Sequence, residues 1–497
     1  MKSINLRLVI TTTTWAFLLG ATHVALADST DNLLKKLRDK GVLTDQEYDE
    51  FNASRDTEKI QKSQGISASF HDGINFESAD KTFLMQINGR IQLDGRYYGK
   101  NDSQNLDQVD VRRAYLGVKG KIYNDYEYNV TTDLAQGQSG ATTGTSQLDV
   151  AYFGINWWSQ AKFRFGQFDM PFGLEHLTSD LYVDFQERSF TDQLAPGKER
   201  GAMVHGAPIN GVYYGLAVST GRGKNVSDKD QNVEGVDVIG RLTANLATLA
   251  GLTDNTVLHV GGDFSHGYVS QNQAFNGSTI GAGNFKPAGQ SLGVTEGRGI
   301  TFFTPTAFSS TLTTNDVERT RLGLEGAVAY GPVKLQSEWA RHNYSGLAST
   351  KVNGTTSFDK DIDAWYVAAN WMVTGEPYAA TYADGLWGRI HPTSDFVHPG
   401  MGSGLGAIQL NIRYSEFDGS DFANGNGPGS VAKGTPTGAH AWTAGVTWFL
   451  NPQVRLMANY VGTKFEDGVV TVKNVTGTSV GTTDNERAMI VRGVLDF

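Results

Sequence analysis

Cations recur at alternate positions along several apolar segments of this sequence. In residues 83–99, Phe83 and Met85 project to one side of an extended chain, whereas Arg90 and Arg96 project to the other. The same alternation places these cations on the polar side: Arg90, Arg96, Arg113, Lys119, Lys121, Lys162, Arg164, Arg241, Arg321, Lys334, Arg413, Arg455 and Arg492. Guanidinium and ammonium groups that line a pore favour anions over cations. Arginine can also hold two phosphate oxygens at once, so the pattern predicts an anion-conducting lumen.

Carboxylates share the polar side and leave a second interpretation open. They are Asp94, Glu127, Asp133, Asp149, Asp263, Glu325, Glu338 and Asp496. Under that interpretation the charges pair across the wall, and many cations are neutralised. The sequence therefore favours a net anion preference over strict phosphate selectivity, with a general, weakly selective pore as the alternative.

These charges require strands that are polar on one face and apolar on the other. Sixteen segments fit, at 83–99, 113–123, 125–134, 148–157, 161–166, 202–206, 211–219, 236–246, 257–265, 321–331, 333–342, 364–374, 407–414, 441–450, 453–461 and 488–497. An even strand number is typical of bacterial outer-membrane barrels. We predict an all-β, antiparallel transmembrane β-barrel of about 16 strands. Short periplasmic turns are expected at 124–125, 331–332 and 451–452, and extracellular loops at 266–316, 345–362, 375–406, 418–438 and 464–487.

The composition agrees with a barrel. After the N-terminal segment no run of about 18 apolar residues is present, which excludes spanning helices. The chain has 59 Gly, 19 Tyr, 25 Phe and 9 Trp, a mixture typical of tight turns and aromatic girdles. A soluble β-sandwich with its apolar side inward is the alternative, and sixteen such strands disfavour it.

The N-terminal region predicts export. Lys2 and Arg7 precede an apolar stretch that ends at 25–27 with Ala-Leu-Ala, which indicates a signal peptide over residues 1–27. Residues 28–66 are expected to form a periplasmic helical hairpin and linker, with Thr44 and Glu47 as a capping box. The barrel domain is then expected over 67–497, in the outer membrane of a Gram-negative bacterium. The chain has no Cys, so disulfides do not stabilise it.

Phe497 closes a segment in which Met489, Val491 and Leu495 alternate with polar neighbours. A terminal aromatic at the end of an amphipathic strand resembles the signal by which the barrel assembly machinery recognises outer-membrane proteins. We therefore expect Phe497 to act as an assembly signal.

A resemblance to a known family rests on FGQFDMPFGLEHLTSDLYVDFQERSFTDQLAPGKERG (165–201), with further matches at 112–133, 373–378 and 448–461. These stretches resemble the phosphate-selective porin O and P family. The resemblance implies a 16-stranded homotrimeric porin in contact with outer-membrane lipids, which conducts small anions such as phosphate. It also implies that residues 172–200 fold into the lumen as a constriction loop, with Arg188, Lys198 and Arg200 on its charged rim. Alternatively, Arg188 and Arg200 pin the loop to the wall through Glu175, Glu187 or Glu199.

Other function classes find less support. The formal net charge of −10 disfavours nucleic-acid binding. No Ser–His–acid set indicates an enzyme. The histidines lack metal-ligand spacing, so no metal or cofactor is expected. A structural or adhesive role remains an alternative because the loops are long.

The lumen interpretation generates a first prediction. Replacing Arg113 and Lys121 together with Glu should weaken or reverse ion selectivity without preventing assembly, because both are expected to line the pore. Reversal potentials in planar bilayers measure this, and unchanged selectivity would remove both residues from the pathway.

Overall fold

The computed structural model describes residues 35–51, 65–99, 107–135, 147–221, 223–225, 236–252, 255–268, 292–305, 317–350, 354–397, 403–423, 430–473 and 478–497. Two compact units are present, residues 1–65 and 66–497. The predicted signal peptide lies outside the described residues. In the first unit, helices span 35–39 and 45–51. The predicted capping box is present: the Thr44 amide donates to Glu47 Oε2 at 2.9 Å and the Glu47 amide to Thr44 Oγ1 at 3.2 Å.

The second unit consists mainly of strands. In chain order they are β1 Ile66–Phe70, β2 Ile74–Ser78, β3 Phe83–Tyr98, β4 Gln108–Ile122, β5 Tyr126–Asp133, β6 Gln147–Trp158, β7 Ala161–Asp169, β8 Lys198–Ile209, β9 Val212–Ser219, β10 Asp237–Asn245, β11 Thr256–Tyr268, β12 Val317–Tyr330, β13 Val333–Thr350, β14 Gly354–Met372, β15 Tyr382–Ala383, β16 Leu386–Trp387, β17 Ala407–Asp418, β18 Gly438–Phe449, β19 Val454–Glu466, β20 Val470–Lys473, β21 Ser479–Thr483 and β22 Asn485–Asp496. Short helices span Leu174–Leu177 and Leu246–Leu249, and 3₁₀ turns span Phe190–Leu194, Tyr378–Thr381 and Ser420–Phe422. No helix among the described residues has the length and apolarity needed to cross a membrane.

Sixteen of these strands form a closed antiparallel barrel: β3 to β14, β17 to β19, and β22. Each pairs with the next along the chain, and β22 pairs with β3 from Ala488↔Tyr98 to Asp496↔Arg90. The predicted fold class and strand number are therefore confirmed.

The alternation of side chains explains why these segments form the wall. On β12, Leu322 and Leu324 are exposed on the outer face, whereas Arg321 and Glu325 are buried inside. An apolar outer face matches lipid and a polar inner face matches a lumen. The hydrogen bonds of all sixteen strands are made between strands, as a bilayer requires.

The edge of β3 is covered by two strands in succession. β22 pairs with Arg90 to Tyr98, and β2 pairs with Leu84 to Ile87. Phe497 lies at the junction: its amide donates to the Gly89 carbonyl and the Gly89 amide donates to the Phe497 carbonyl, both at 2.9 Å. A side chain at position 89 would meet the Phe497 ring, since an ideal Cβ would lie 2.6 Å from it. Glycine therefore leaves room for the aromatic ring.

Two predicted extracellular loops differ from the structure. Most of 345–362 is strand, because β13 extends to Thr350 and β14 begins at Gly354. The connection 373–406 joins β14 to β17, and antiparallel order puts it at the end of the barrel that carries the short turns. Accordingly, the Tyr378 amide donates to the Gly331 carbonyl and the Phe396 amide to the Leu450 carbonyl. The extracellular assignment of 375–406 was wrong, because strand order, not loop length, decides the side.

The junction at Phe497 generates a prediction. Phe497→Ala should lower the yield of folded barrel, because it removes the ring that packs over Gly89 while keeping the two backbone hydrogen bonds. The heat-modifiable fraction of the protein on electrophoresis of outer-membrane extracts measures this yield. Phe497→Leu, which retains apolar bulk, is the matched control, and equal yields for Ala and wild type would contradict the prediction.

Candidate functional site: a loop-lined constriction

The connection between β7 and β8, residues 170–197, lies inside the barrel and carries the helix Leu174–Leu177. Its apolar residues Phe172, Phe190 and Leu194 are buried in one cluster with Phe302 and Phe417. The sequence-based range was 172–200, but the strand β8 already begins at Lys198. Lys198 and Arg200 therefore lie on the wall, and Arg188 lies on the loop.

Arg413 on β17 anchors the loop. Its fully buried guanidinium donates to Glu175 Oε1 at 2.8 Å and to the Glu187 carbonyl at 3.0 Å. It also donates to Glu296 Oε2 at 2.7 Å. One arginine of the wall thus holds both the loop and the segment 292–305.

A wall carboxylate provides a second anchor. Glu338 accepts hydrogen bonds from the amides of Leu174 at 2.8 Å and Glu175 at 2.7 Å. The loop residue Arg188 instead bonds within the loop, to the carbonyls of Glu175 and Thr178. The loop is therefore held mainly by wall residues that reach it, not by its own arginine.

Glu187 of the loop accepts hydrogen bonds from four arginines. Its Oε1 lies 2.7 Å from Arg96 Nη2, 2.9 Å from Arg492 Nη2 and 3.1 Å from Arg112 Nε, and its Oε2 lies 3.3 Å from Arg298 Nη1. Burial raises the pKa of Glu187, but the charges of Arg112, Arg298 and Arg96 outweigh it and hold this pKa well below its usual range. The carboxylate is therefore ionised.

Asp180 of the loop also joins two wall arginines. Its carboxylate pairs with Arg90 and, at 2.7 Å, with Arg113. Burial opposes ionisation here too, and the charges of Arg90 and Arg113 prevail, so the pKa of Asp180 is lowered. The loop thus presents anionic side chains to a cationic wall.

Two chambers lie on either side of this loop. The loop-side chamber has a volume of about 250 Å³, and its charged lining is Arg112, Arg113, Asp133, Asp149, Asp169, Asp180, Glu187, Arg188, Asp192, Lys198, Lys224, Glu296 and Arg298. The turn-side chamber, of about 450 Å³, is lined by Asp72, Arg90, Lys119, Arg389 and Asp496, among others. Both chambers share eight residues, which we call the neck: Arg113, Tyr115, Asp149, Asp169, His176, Asp180, Arg188 and Lys198.

The predicted cations do not all line the lumen. Seven of them are buried among wall and loop groups: Arg96, Arg241, Arg321, Lys334, Arg413, Arg455 and Arg492. Arg241, for example, pairs with Glu325 and Lys334 with Asp184, both at 2.7 Å. Arg90, Arg113, Lys119 and Lys198 line the chambers. Arg164 pairs with Glu127 at 3.0 Å, and Lys162 is half-buried. Neither chamber, as the described residues define them, is lined by Lys121 or Arg200.

Four chamber cations escaped the sequence analysis: Arg112, Lys224, Arg298 and Arg389. Gln92 pairs with Arg113 and Leu93 with Val111, so Arg112 is the extra residue of a β-bulge. A bulge interrupts the two-residue period, and Arg112 thereby reaches Glu187 inside the barrel. The adjacent residues Arg112 and Arg113 within one strand were the feature of the sequence that could have indicated this bulge. The other three lie outside the barrel strands, where the period does not apply.

The described residues contain no group of three or more His, Asp or Glu side chains placed to hold a metal ion. The site is a network of ion pairs around two chambers that share the neck residues, so the chemistry it offers is electrostatic attraction and exchange of hydrogen bonds.

The family described as "Phosphate-selective porin O and P" matches residues 85–483. Porin O of Pseudomonas aeruginosa is 26% identical over 403 residues, which cover 79% of this chain and 85% of that protein. Among solved structures, an anion-selective porin from Comamonas acidovorans is 10% identical, with a TM-score of 0.48 and coverage of 84% of this chain and 100% of that one. OmpT of Vibrio cholerae, in its trimer form, is also 10% identical, with a TM-score of 0.46 and the same coverages.

The anchoring role of Arg413 generates a prediction. Arg413→Gln should lower the free energy of unfolding by about 3–5 kcal/mol, because Glu175 and Glu296 would remain buried without a cationic partner. It should also raise single-channel conductance and current noise, since the loop would be less firmly held. Urea unfolding in micelles and bilayer recordings measure the two effects.

Arg341→Gln is the matched control. Arg341 pairs with Asp363 at 2.9 Å and is 42% exposed, so its loss should cost less than about 1 kcal/mol. Equal losses for the two variants would contradict the anchoring role.

Proposed function

We propose, because this chain belongs to the phosphate-selective porin O and P family, that it is a passive diffusion channel with a bias toward anions. Its place is the outer membrane of a Gram-negative bacterium, and as a porin it is a channel and not an enzyme. The geometry of the lumen supports the preference for anions, and an ion-selectivity experiment must test that preference.

The supporting observation is the layering of charge around the loop-side chamber. Its six cations, Arg112, Arg113, Arg188, Lys198, Lys224 and Arg298, have side chains that are 13–38% exposed. Five of its seven acids, Asp133, Asp149, Asp180, Glu187 and Glu296, are 11% exposed or less. An entering ion therefore meets all six cations but only two of the seven carboxylates, Asp169 and Asp192. This arrangement lowers the energy of an anion in the chamber.

Conduction through the neck would proceed by exchange. Lys198 pairs with Asp149 at 3.3 Å and with Asp169 at 3.4 Å, so a passing anion competes with those carboxylates for the ammonium group. Arg113 and Arg188 offer neighbouring sites on the same path. Several weak sites allow an ion both to enter and to leave, whereas one tight site would retain it. The channel needs no cofactor and no energy source.

Phosphate, or polyphosphate, is the anion class we favour for this path, because guanidinium groups bind oxyanions through paired hydrogen bonds. A general, weakly selective porin is the second candidate. It is favoured by Asp169 and Asp192, which are 37% and 27% exposed in the same chamber.

We also propose that the protein forms a homotrimer, as the family resemblance implies. Cross-linking in native membranes would test this oligomeric state.

A reversal potential under a KCl gradient tests the anion bias directly. The potential should have the sign of a chloride-preferring pore, and its magnitude should fall as salt rises, because the exposed cations are screened. Cation preference would overturn the proposal. Block of the chloride current by phosphate would favour the narrower solute class over the general porin.

Lys198→Glu should shift the reversal potential toward cation selectivity. The substitution removes the ammonium group that Asp149 and Asp169 share, leaves Asp149 with Lys224 at 3.0 Å, and places a fourth carboxylate in the neck. The effect should be largest near ~0.1 M salt, where the Debye length is about 10 Å.

Lys464→Glu carries the same charge change at an exposed pair with Asp484 and is the matched control. It should leave the reversal potential nearly unchanged, because Lys464 lines neither described chamber. Equal shifts for both variants would mean that net charge, and not the neck, sets selectivity.

A further inference from the structure

The arginine cluster around Glu187 has an excess of positive charge. Four arginines surround this carboxylate: Arg96, Arg112, Arg298 and Arg492. A second carboxylate, Asp94, pairs with Arg96 at 2.7 Å and with both Nε and Nη2 of Arg492, at 2.6 and 2.7 Å. Four positive charges thus face two negative ones.

The cluster has a wall side and a lumen side. Arg96 and Arg492 are buried, and their contacts with Glu187 are the short ones, at 2.7 and 2.9 Å. Arg112 and Arg298 line the loop-side chamber and are 21% and 38% exposed. Their contacts with Glu187 are longer, from 3.1 to 3.4 Å. Within the described part of the chain, Glu187 supplies the hydrogen-bond acceptors for both Arg112 and Arg298.

We propose that Glu187 is an internal competitor that occupies an oxyanion site formed by Arg112 and Arg298. The ligand class is a tetrahedral oxyanion, for which inorganic phosphate is the probe. This inference rests on the proposed function, since it names a site on the proposed anion path. Arg112 directs two N–H donors, Nε and Nη2, at the Glu187 carboxylate, and the same pair of donors fits two oxygens of a phosphate. Arg298 supplies a further charged donor.

A phosphate can displace the Glu187 carboxylate from Arg112 and Arg298 without movement of the loop. Its backbone carbonyl is held by Arg413 at 3.0 Å, and its carboxylate keeps Arg96 and Arg492. An arriving oxyanion therefore takes over only the three longer, lumen-side hydrogen bonds from Arg112 and Arg298. When it leaves, Glu187 regains them. The competitor keeps the site weak, which favours release and flux over retention.

The test is block of the chloride current by inorganic phosphate in planar bilayers. Glu187→Gln should lower the half-blocking phosphate concentration by about tenfold or more, the change expected when one charge-assisted interaction becomes available to the solute. The triple variant E187Q/R112Q/R298Q should lose that gain. An unchanged half-blocking concentration in Glu187→Gln would overturn the proposal.

Asp192→Asn is the matched control. Asp192 belongs to the same loop and lines the same chamber, but its contacts are with His176 at 2.6 Å and Arg188 at 3.8 Å, whereas Glu187 accepts the hydrogen bonds of Arg112 and Arg298. It should move the KCl reversal potential about as much as Glu187→Gln while leaving the phosphate block near the wild-type value. A gain in block equal to that of Glu187→Gln would show a general effect of charge and would overturn the site.

A second test does not require Glu187→Gln to fold. Arg298→Gln, introduced alone into the wild-type chain, should weaken the phosphate block severalfold, and an unchanged block would overturn the proposal.

The KCl reversal potential separates this inference from the anion bias. Cation preference in wild type refutes the bias, whereas a normal bias without a gain in block refutes only the competitor.

Discussion

The pairing of wall arginines with loop carboxylates is the interaction on which the pore depends. Arg413 holds Glu175 and Glu296, Arg492 reaches Glu187, and Arg113 reaches Asp180. Buried charges carry a large desolvation cost, which only close partners and further hydrogen bonds offset. Because each partner would be costly to leave alone, the loop has one favoured position in the lumen. The pairing thereby fixes the dimensions of the channel as well as its charge.

The same pairing shapes the electric field that a solute meets. The chain carries a formal net charge of −10, yet all six cations of the loop-side chamber reach the water, compared with two of its seven carboxylates. The two facts are compatible because Asp149, Glu187 and Glu296 are more deeply buried than these cations. Over a few ångströms the order of charges matters more than their sum, since nearby charges dominate in a narrow, poorly screened space. Overall charge is therefore a poor guide to the preference of a pore.

The wall of the barrel could be predicted from sequence because its signal is local. Lipid outside and water inside impose a two-residue period, and the sixteen strands follow it except at bulges such as the one at Arg112. The site could be predicted only in part. Arg113 and Lys198 obeyed the period, but Arg112 reached the lumen through a bulge and Arg298 through a loop. The ion pairs themselves join residues far apart in the chain, such as Glu175 and Arg413. Period-2 patterns carry no information about such partners, and the side on which residues 375–406 lie follows from strand order alone.

The shared edge of β3 has a consequence for the dynamics of the barrel. β22 reaches only as far as Arg90, and without β2 the stretch from Leu84 to Ile87 would present free backbone groups. With both strands in place, β3 is paired along this edge down to Leu84. The seam of a barrel is where strands would separate first, and an unpaired strand edge is also where a second chain could add. Here the hairpin of β1 and β2 covers that stretch of β3, so the seam can open there only when β2 is released.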